Sequence, residues 1–113
     1  MGGDGGPETT IEGVSLATKL YPDVKFKLFG DRRKSENLIS KFNLKKNVEF
    51  VHTTESIKSN DQPVNALRKL KKSSIRLATN DVKNKISDGL VSAGNTGALM
   101  AISKFVLKTI KTI

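Results

Sequence analysis

The chain reads as an α/β domain built on a parallel sheet. Two features predict it: short apolar runs of strand character alternate with longer amphipathic helical stretches, and residues 88–100 pass from an apolar run through a small-residue turn into a helix. Because helices separate successive strands, parallel pairing through right-handed crossovers is the economical topology. The length of 113 residues suits one domain, and a hydrophobic content of 36% leaves a thin core for a sheet covered on both faces. No internal repeat or low-complexity linker interrupts the sequence.

Each element follows from local pattern. Pro7 stands at a first-turn position, and Ile11, Val14, Ala17 and Leu20 follow at helical intervals, which predicts an amphipathic helix over 7–20. Tyr21-Pro22-Asp23 stops it. Val24, Phe26 and Leu28 alternate with Lys25 and Lys27 as in a strand exposed on one side, and Gly30-Asp31 ends that run. A charged helix carrying Leu38, Ile39 and Phe42 comes next, then the strand Val48-Glu49-Phe50-Val51 and a polar loop over 53–62. Pro63 opens a helix with Val64, Leu67 and Leu70 on one face. Ser73 or Ser74 caps a second helix bearing Ile75, Ala78, Val82 and Ile86, with one kinked helix as the alternative. Leu90-Val91 is expected as a short buried strand, and the helix from Ala98 keeps Leu99, Ile102, Val106 and Ile110 in register.

Composition excludes several classes. The chain lacks cysteine, so it has neither a disulfide framework nor a thiolate nucleophile. No apolar run approaches a membrane span, and no basic segment followed by a hydrophobic one marks an export signal. No His, Asp or Glu grouping has metal-ligand spacing, so no metal or other cofactor is expected. The formal charge of +9 invites a nucleic-acid reading. Against it, 16 of the 20 basic residues are Lys, spread without interleaved aromatics on which bases would stack. A solvated, Lys-decorated surface is favoured. Lys45-Lys46 and Lys69-Leu70-Lys71-Lys72 are the local clusters, suited to an acidic protein partner.

The chemistry concentrates at the turn Gly94-Asn95-Thr96-Gly97. A helix start presents unpaired backbone N–H groups and the positive end of the helix dipole, to which an anion such as phosphate is attracted. Gly94 and Gly97 remove side-chain bulk there, and Asn95 and Thr96 add side-chain hydrogen bonds. The competing reading is a βα turn whose glycines only permit a tight reversal. The pattern is neither a Walker loop, since no Lys follows the second glycine, nor a dinucleotide fingerprint, since the third glycine is missing.

Four ordered segments resemble the bacterial phosphate acyltransferases of the PlsX family. They are Met1-Gly2-Gly3-Asp4 with Pro7, then Phe29-Gly30-Asp31, then the run from Asp61-Gln62-Pro63-Val64-Asn65-Ala66-Leu67-Arg68 to Ser73-Ser74, and finally Ser92-Ala93-Gly94-Asn95-Thr96-Gly97-Ala98-Leu99-Met100. The resemblance implies a Rossmann-like, three-layer parallel-sheet domain. It also implies that this chain corresponds to roughly the N-terminal third of a single acyltransferase domain, with a hydrophobic first strand and the C-terminal part missing. Gly5-Gly6 before Pro7 and the stretch 106–113 depart from the family pattern, the latter as expected where a reading frame shifts or stops.

The activity implied by the resemblance is acyl transfer from acyl-acyl carrier protein to inorganic phosphate, giving acyl phosphate for a later glycerol-3-phosphate acyltransferase in phospholipid synthesis. Family members act as dimers in the cytoplasm and associate with the membrane surface; a fragment alone is expected to be inactive. Phosphate itself attacks, so no covalent nucleophile is needed, and no catalytic residue is assigned. The expected phosphate contacts are Gly94, Asn95, Thr96 and Gly97. Gly2, Gly3 and Asp4 join them at the carboxyl edge of the sheet, with Asp4 alternatively a helix cap. Ser73, Ser74 and Arg76 form another helix start able to hold an anion, although a capping Ser and a solvated Arg are the commoner roles. His52, the single histidine, sits at a strand end without an evident acid or Ser partner. The rival classes are a small phosphate- or nucleotide-binding α/β domain and a basic nucleic-acid-binding module.

Overall fold

The computed structural model describes residues 6–58 and 60–109; Gly2, Gly3, Asp4 and Ile110 lie outside the described residues. Helix α1 (Gly6–Leu20) leads into strand β1 (Phe26–Gly30), helix α2 (Arg32–Lys41) and strand β2 (Val48–His52). Helices α3 (Pro63–Lys69), α4 (Ser74–Lys83) and α5 (Thr96–Leu107) follow. The strands pair in parallel, Phe26 opposite Val48 through Gly30 opposite His52, with α2 as the crossover. An α/β fold is therefore present.

Local chemistry explains the boundaries. Asp31 caps α2 by accepting from Arg33 N at 3.0 Å, so the residue that directly follows the strand starts the helix. Asn43 supplies the positive φ, 55°, that turns the chain out of α2 toward β2, with Leu44 buried behind it. Ser73 caps α4, and the 70–73 stretch breaks the run, so α3 and α4 are two helices and not one kinked helix.

The main core lies under the C-terminal helices. Ile57, Ala66, Ile75, Ala98, Ile102 and Val106 form it, with Leu67, Leu70 and Leu99 packed alongside. Loop 53–62 is polar and irregular as expected, yet its one large aliphatic residue, Ile57, is completely buried and joins that core.

Four sequence expectations need correction. Leu90-Val91 forms no strand: 89–93 is irregular and Val91 is fully exposed, because among the described residues β1 and β2 pair only with each other and a two-residue run without a ladder partner has nothing to hold it extended. Ile86 is not on the α4 face. Lys85 adopts a φ of 61°, the carbonyl of Asp81 takes Ile86 N and Ser87 N, and Ile86 is left 65% exposed. Val64 is also exposed, since the face of α3 that meets α5 is centred on Ala66. Val24 precedes β1 and stays exposed.

Candidate functional site

Asn95 organises the start of α5. Its backbone is extended (φ −60°, ψ 112°), and its Oδ1 accepts from Ala98 N at 3.0 Å, the geometry of an N-cap. The amide nitrogen of the same side chain donates to Lys58 O at 2.9 Å and to Asp61 O at 3.0 Å. Both ends of one amide thus fasten the helix to loop 53–62. The loop presents those carbonyls because Lys58 and Asp61 close a turn, Asp61 N donating to Lys58 O at 3.0 Å and Lys58 N to Asp61 Oδ2 at 2.8 Å.

The glycines have separate uses. Gly94 N donates to Ser92 Oγ at 3.1 Å, which shapes the approach to the cap. At Gly97 a Cβ would stand 3.0 Å from Cγ of Pro63, so this glycine lets the first turn of α5 pack directly on the first residue of α3. Thr96 and Gly97 open the helix and are exposed, whereas Ala98 is fully buried.

The second expected site uses the same loop. Ser73 is completely buried and its Oγ accepts from Arg76 N at 3.2 Å; Ser74 N donates to Glu55 O at 3.1 Å. Glu55 also accepts from Lys72 N at 3.2 Å, and the Thr53 hydroxyl donates to Lys72 O at 2.6 Å. The Arg76 guanidinium lies over the Phe105 ring of α5, 5.4 Å from its centre. Residues 53–55 therefore seat the start of α4, and residues 58–61 the start of α5. Ile57 between them anchors the loop in the core, which brings 73–76 and 94–97 to one support.

The supporting partners Glu55, Lys58, Asp61 and Pro63 carry no periodic signal, so the pattern of apolar residues passes over them. Only Asp61-Gln62-Pro63, a turn followed by a helix-opening proline, marks the spot in sequence.

The remaining polar groups lie elsewhere. His52 is exposed, and its Nδ1 accepts from Arg32 N at 3.0 Å. Asp81 on α4 is buried and accepts from Lys27 Nζ at 2.9 Å and from the Ser87 hydroxyl at 2.6 Å. Burial raises its carboxyl pKa, but the Ser87 and Lys27 hydrogen bonds and the Lys27 charge outweigh that and hold it below the usual aspartate value. Among the described residues no cluster of His, Asp and Glu is arranged to hold a metal ion, and no helix is long and apolar enough to cross a membrane.

Comparison with known proteins gives this geometry a family. The family of fatty acid synthesis proteins matches residues 1–113. The phosphate acyltransferase of Shewanella loihica is 49% identical over 115 aligned residues, covering all of this chain and 34% of that protein. Those of Streptococcus suis and Enterococcus faecalis are 44% and 42% identical over 113 residues, each with 33% of its own length covered. The chain spans about a third of the length of the curated relatives it matches. With the whole chain matched by the family model, it belongs to the fatty acid synthesis protein family, and along its whole length it is similar to proteins named phosphate acyltransferase.

Proposed function

We propose that this chain forms part of an enzyme that moves an acyl group from acyl-acyl carrier protein to inorganic phosphate. A phosphate oxygen attacks the thioester carbonyl, the C–S bond breaks, and the carrier thiol leaves with a proton while acyl phosphate forms for phospholipid synthesis. The observation that carries the reading is the 42–49% identity to phosphate acyltransferases along the whole chain. Neither a generic nucleotide-binding domain nor a nucleic-acid module accounts for it.

In this reading phosphate meets the start of α5. Backbone at Thr96 and Gly97 supplies donors, the Thr96 hydroxyl adds one, Gly94, whose N–H is held by Ser92 Oγ, leaves room for the anion to approach, and Asn95, committed to Ala98, Lys58 and Asp61, fixes the helix end that faces it. Ser73, Ser74 and Arg76 border the same support, and Gly2, Gly3 and Asp4 complete the contacts. The same reading includes a Rossmann-like, three-layer parallel sheet, a homodimer, a cytoplasmic location with peripheral attachment to the membrane surface, and a pathway link to a glycerol-3-phosphate acyltransferase.

A chimera tests it. Residues 1–113 replace the matching third of the Streptococcus suis relative, and acyl phosphate is measured from acyl-acyl carrier protein and phosphate. Activity in the chimera, with none above background from the isolated chain, is the expected result. A folded, inactive chimera contradicts the proposal.

A further inference from the structure

Asp88-Gly89 lies between α4 and α5, in a stretch that forms neither helix nor strand. Both residues are exposed, and a Cβ built on Gly89 would meet nothing within 4 Å. Among the described residues neither the Asp88 carboxylate nor the Gly89 N–H has a hydrogen-bond or ion-pair partner. Upstream, the order stops at Ser87, whose N–H and hydroxyl are both taken by Asp81. Downstream it resumes at Ser92, whose Oγ holds Gly94 N. Exposed, unbonded backbone of this kind moves at the lowest cost in a fold. The other described aspartates in bonded or crowded positions differ: Asp31, Asp61 and Asp81 accept hydrogen bonds, and Asp23 is followed by β-branched Val24, which shields the next amide nitrogen.

We propose that Asp88-Gly89 is a modification site at which the aspartate isomerises without an enzyme. The Gly89 nitrogen attacks Cγ of the Asp88 carboxylic acid. The new N–Cγ bond closes a cyclic imide, and the amide proton leaves with the carboxyl hydroxyl as water. Water then adds to the main-chain carbonyl carbon of Asp88 and breaks its bond to the Gly89 nitrogen. The chain now runs through the Asp88 side chain, and the former carbonyl is a free carboxylate. Nothing is oxidised or reduced, and the only reactant besides the chain is water. Because both groups belong to adjacent residues, the attack needs only a backbone that can turn toward the carboxyl carbon, and glycine, lacking Cβ, leaves that approach open. The product carries an extra methylene in the main chain between Ser87 and Ser92, on the way to the α5 turn, so the site stands whether or not acyl transfer does.

The test ages the full chain at neutral pH and physiological temperature, digests samples with trypsin, and methylates the peptides with a carboxyl methyltransferase specific for isoaspartyl groups and labelled S-adenosylmethionine. Cleavage after Lys19, Lys85 and Lys104 separates residues 86–104 from residues 1–19, where Asp4-Gly5, outside the described residues, repeats the dipeptide. Label is expected to build up in 86–104 with no change in that peptide's mass before methylation. Its rate is expected within about twofold of that of the free peptide 86–104, since one backbone hydrogen bond retained across the site would slow the chain about fivefold. Asp88→Glu is expected to abolish the label and Gly89→Ala to reduce it. Absence of label in 86–104 overturns the proposal. So does label that survives Asp88→Glu, or a chain about fivefold or more slower than the free peptide.

Discussion

Lys27 and Asp81, 54 positions apart, are joined by a 2.9 Å ion pair that ties β1 to the end of α4. Ser87 completes the carboxylate's bonds at 2.6 Å and so fixes the turn that leads toward the 88–95 segment. Both charged side chains are largely covered, at 20% and 10% exposure. The pair thus ranks between an exposed one and a fully desolvated one. Lys27→Met is expected to cost about 1–2 kcal/mol in urea unfolding, since it strands Asp81 with Ser87 alone.

The same carboxylate sets an acid dependence. Its pKa in the folded chain is below the ordinary value of 3.8, so the folded state binds this proton less readily than the unfolded state. The stabilisation is fully present above pH 3.8 and is lost as pH falls below it through the folded value. Melting temperature followed from neutral pH into the acid range is expected to fall more steeply for the wild type than for Asp81→Asn. Parallel curves would show that Asp81 does not contribute.

Asn95 offers a test that separates its two ends. Asn95→Asp keeps the cap on Ala98 N but removes both donors and turns a carboxylate toward two carbonyls. Asn95→Ala loses the cap as well but introduces no charge. A capping loss alone is about 1 kcal/mol, and removing the side-chain donor from Asp61 O and from Lys58 O, which keeps Asp61 N, adds about 1–3 kcal/mol. Chemical denaturation is expected to show a loss of about 2–4 kcal/mol for Asn95→Ala, and an Asn95→Asp penalty that shrinks as the carboxyl is protonated at low pH.

Gly97 and Pro63 are coupled through contact. Alanine favours a helix over glycine by about 1 kcal/mol, but at Gly97 its methyl would meet a proline ring that cannot swing away. Gly97→Ala is therefore expected to destabilise the wild type and to stabilise the Pro63→Ala background. A double-mutant cycle reads this as a coupling of about 1–2 kcal/mol, and additive effects would remove the contact from the account.

Ile57→Ala tests whether the polar loop belongs to the core. A completely buried isoleucine truncated beside Ile75, Ala98 and Ile102 is expected to cost about 2–5 kcal/mol, measured by urea unfolding. A loss under about 1 kcal/mol would mark the loop as peripheral.

The helices and strands were legible because their apolar spacing survives in isolation: Ile102 and Val106 on α5 follow the helical period and are buried, and Phe26 and Leu28 mark β1, although its burial does not alternate, since Lys27 on the face expected to be exposed is covered through its ion pair with Asp81 of α4. Leu90-Val91 misled because strand identity is a property of the pair, and the apolar run alone supplies no ladder. At the candidate site the small-residue turn and its helix were visible in the residues themselves. The clamp was not, since the contacts from Asn95 to Lys58 and Asp61 reach back 37 and 34 positions to backbone carbonyls, whose placement no side-chain pattern encodes.

Arg32, whose backbone N–H is held by His52, also matters for how this chain meets copies of itself. Asn47 O and Thr53 N are the groups that bond to β1, so by the alternation of the strand Phe50 O points to the opposite, outer side of β2. An acceptor left open there would be a template for an incoming chain's amide, the first step of strand-by-strand aggregation. The guanidinium fills that acceptor and sets a cation on the rim, so two identical edges approaching each other bring like charges face to face.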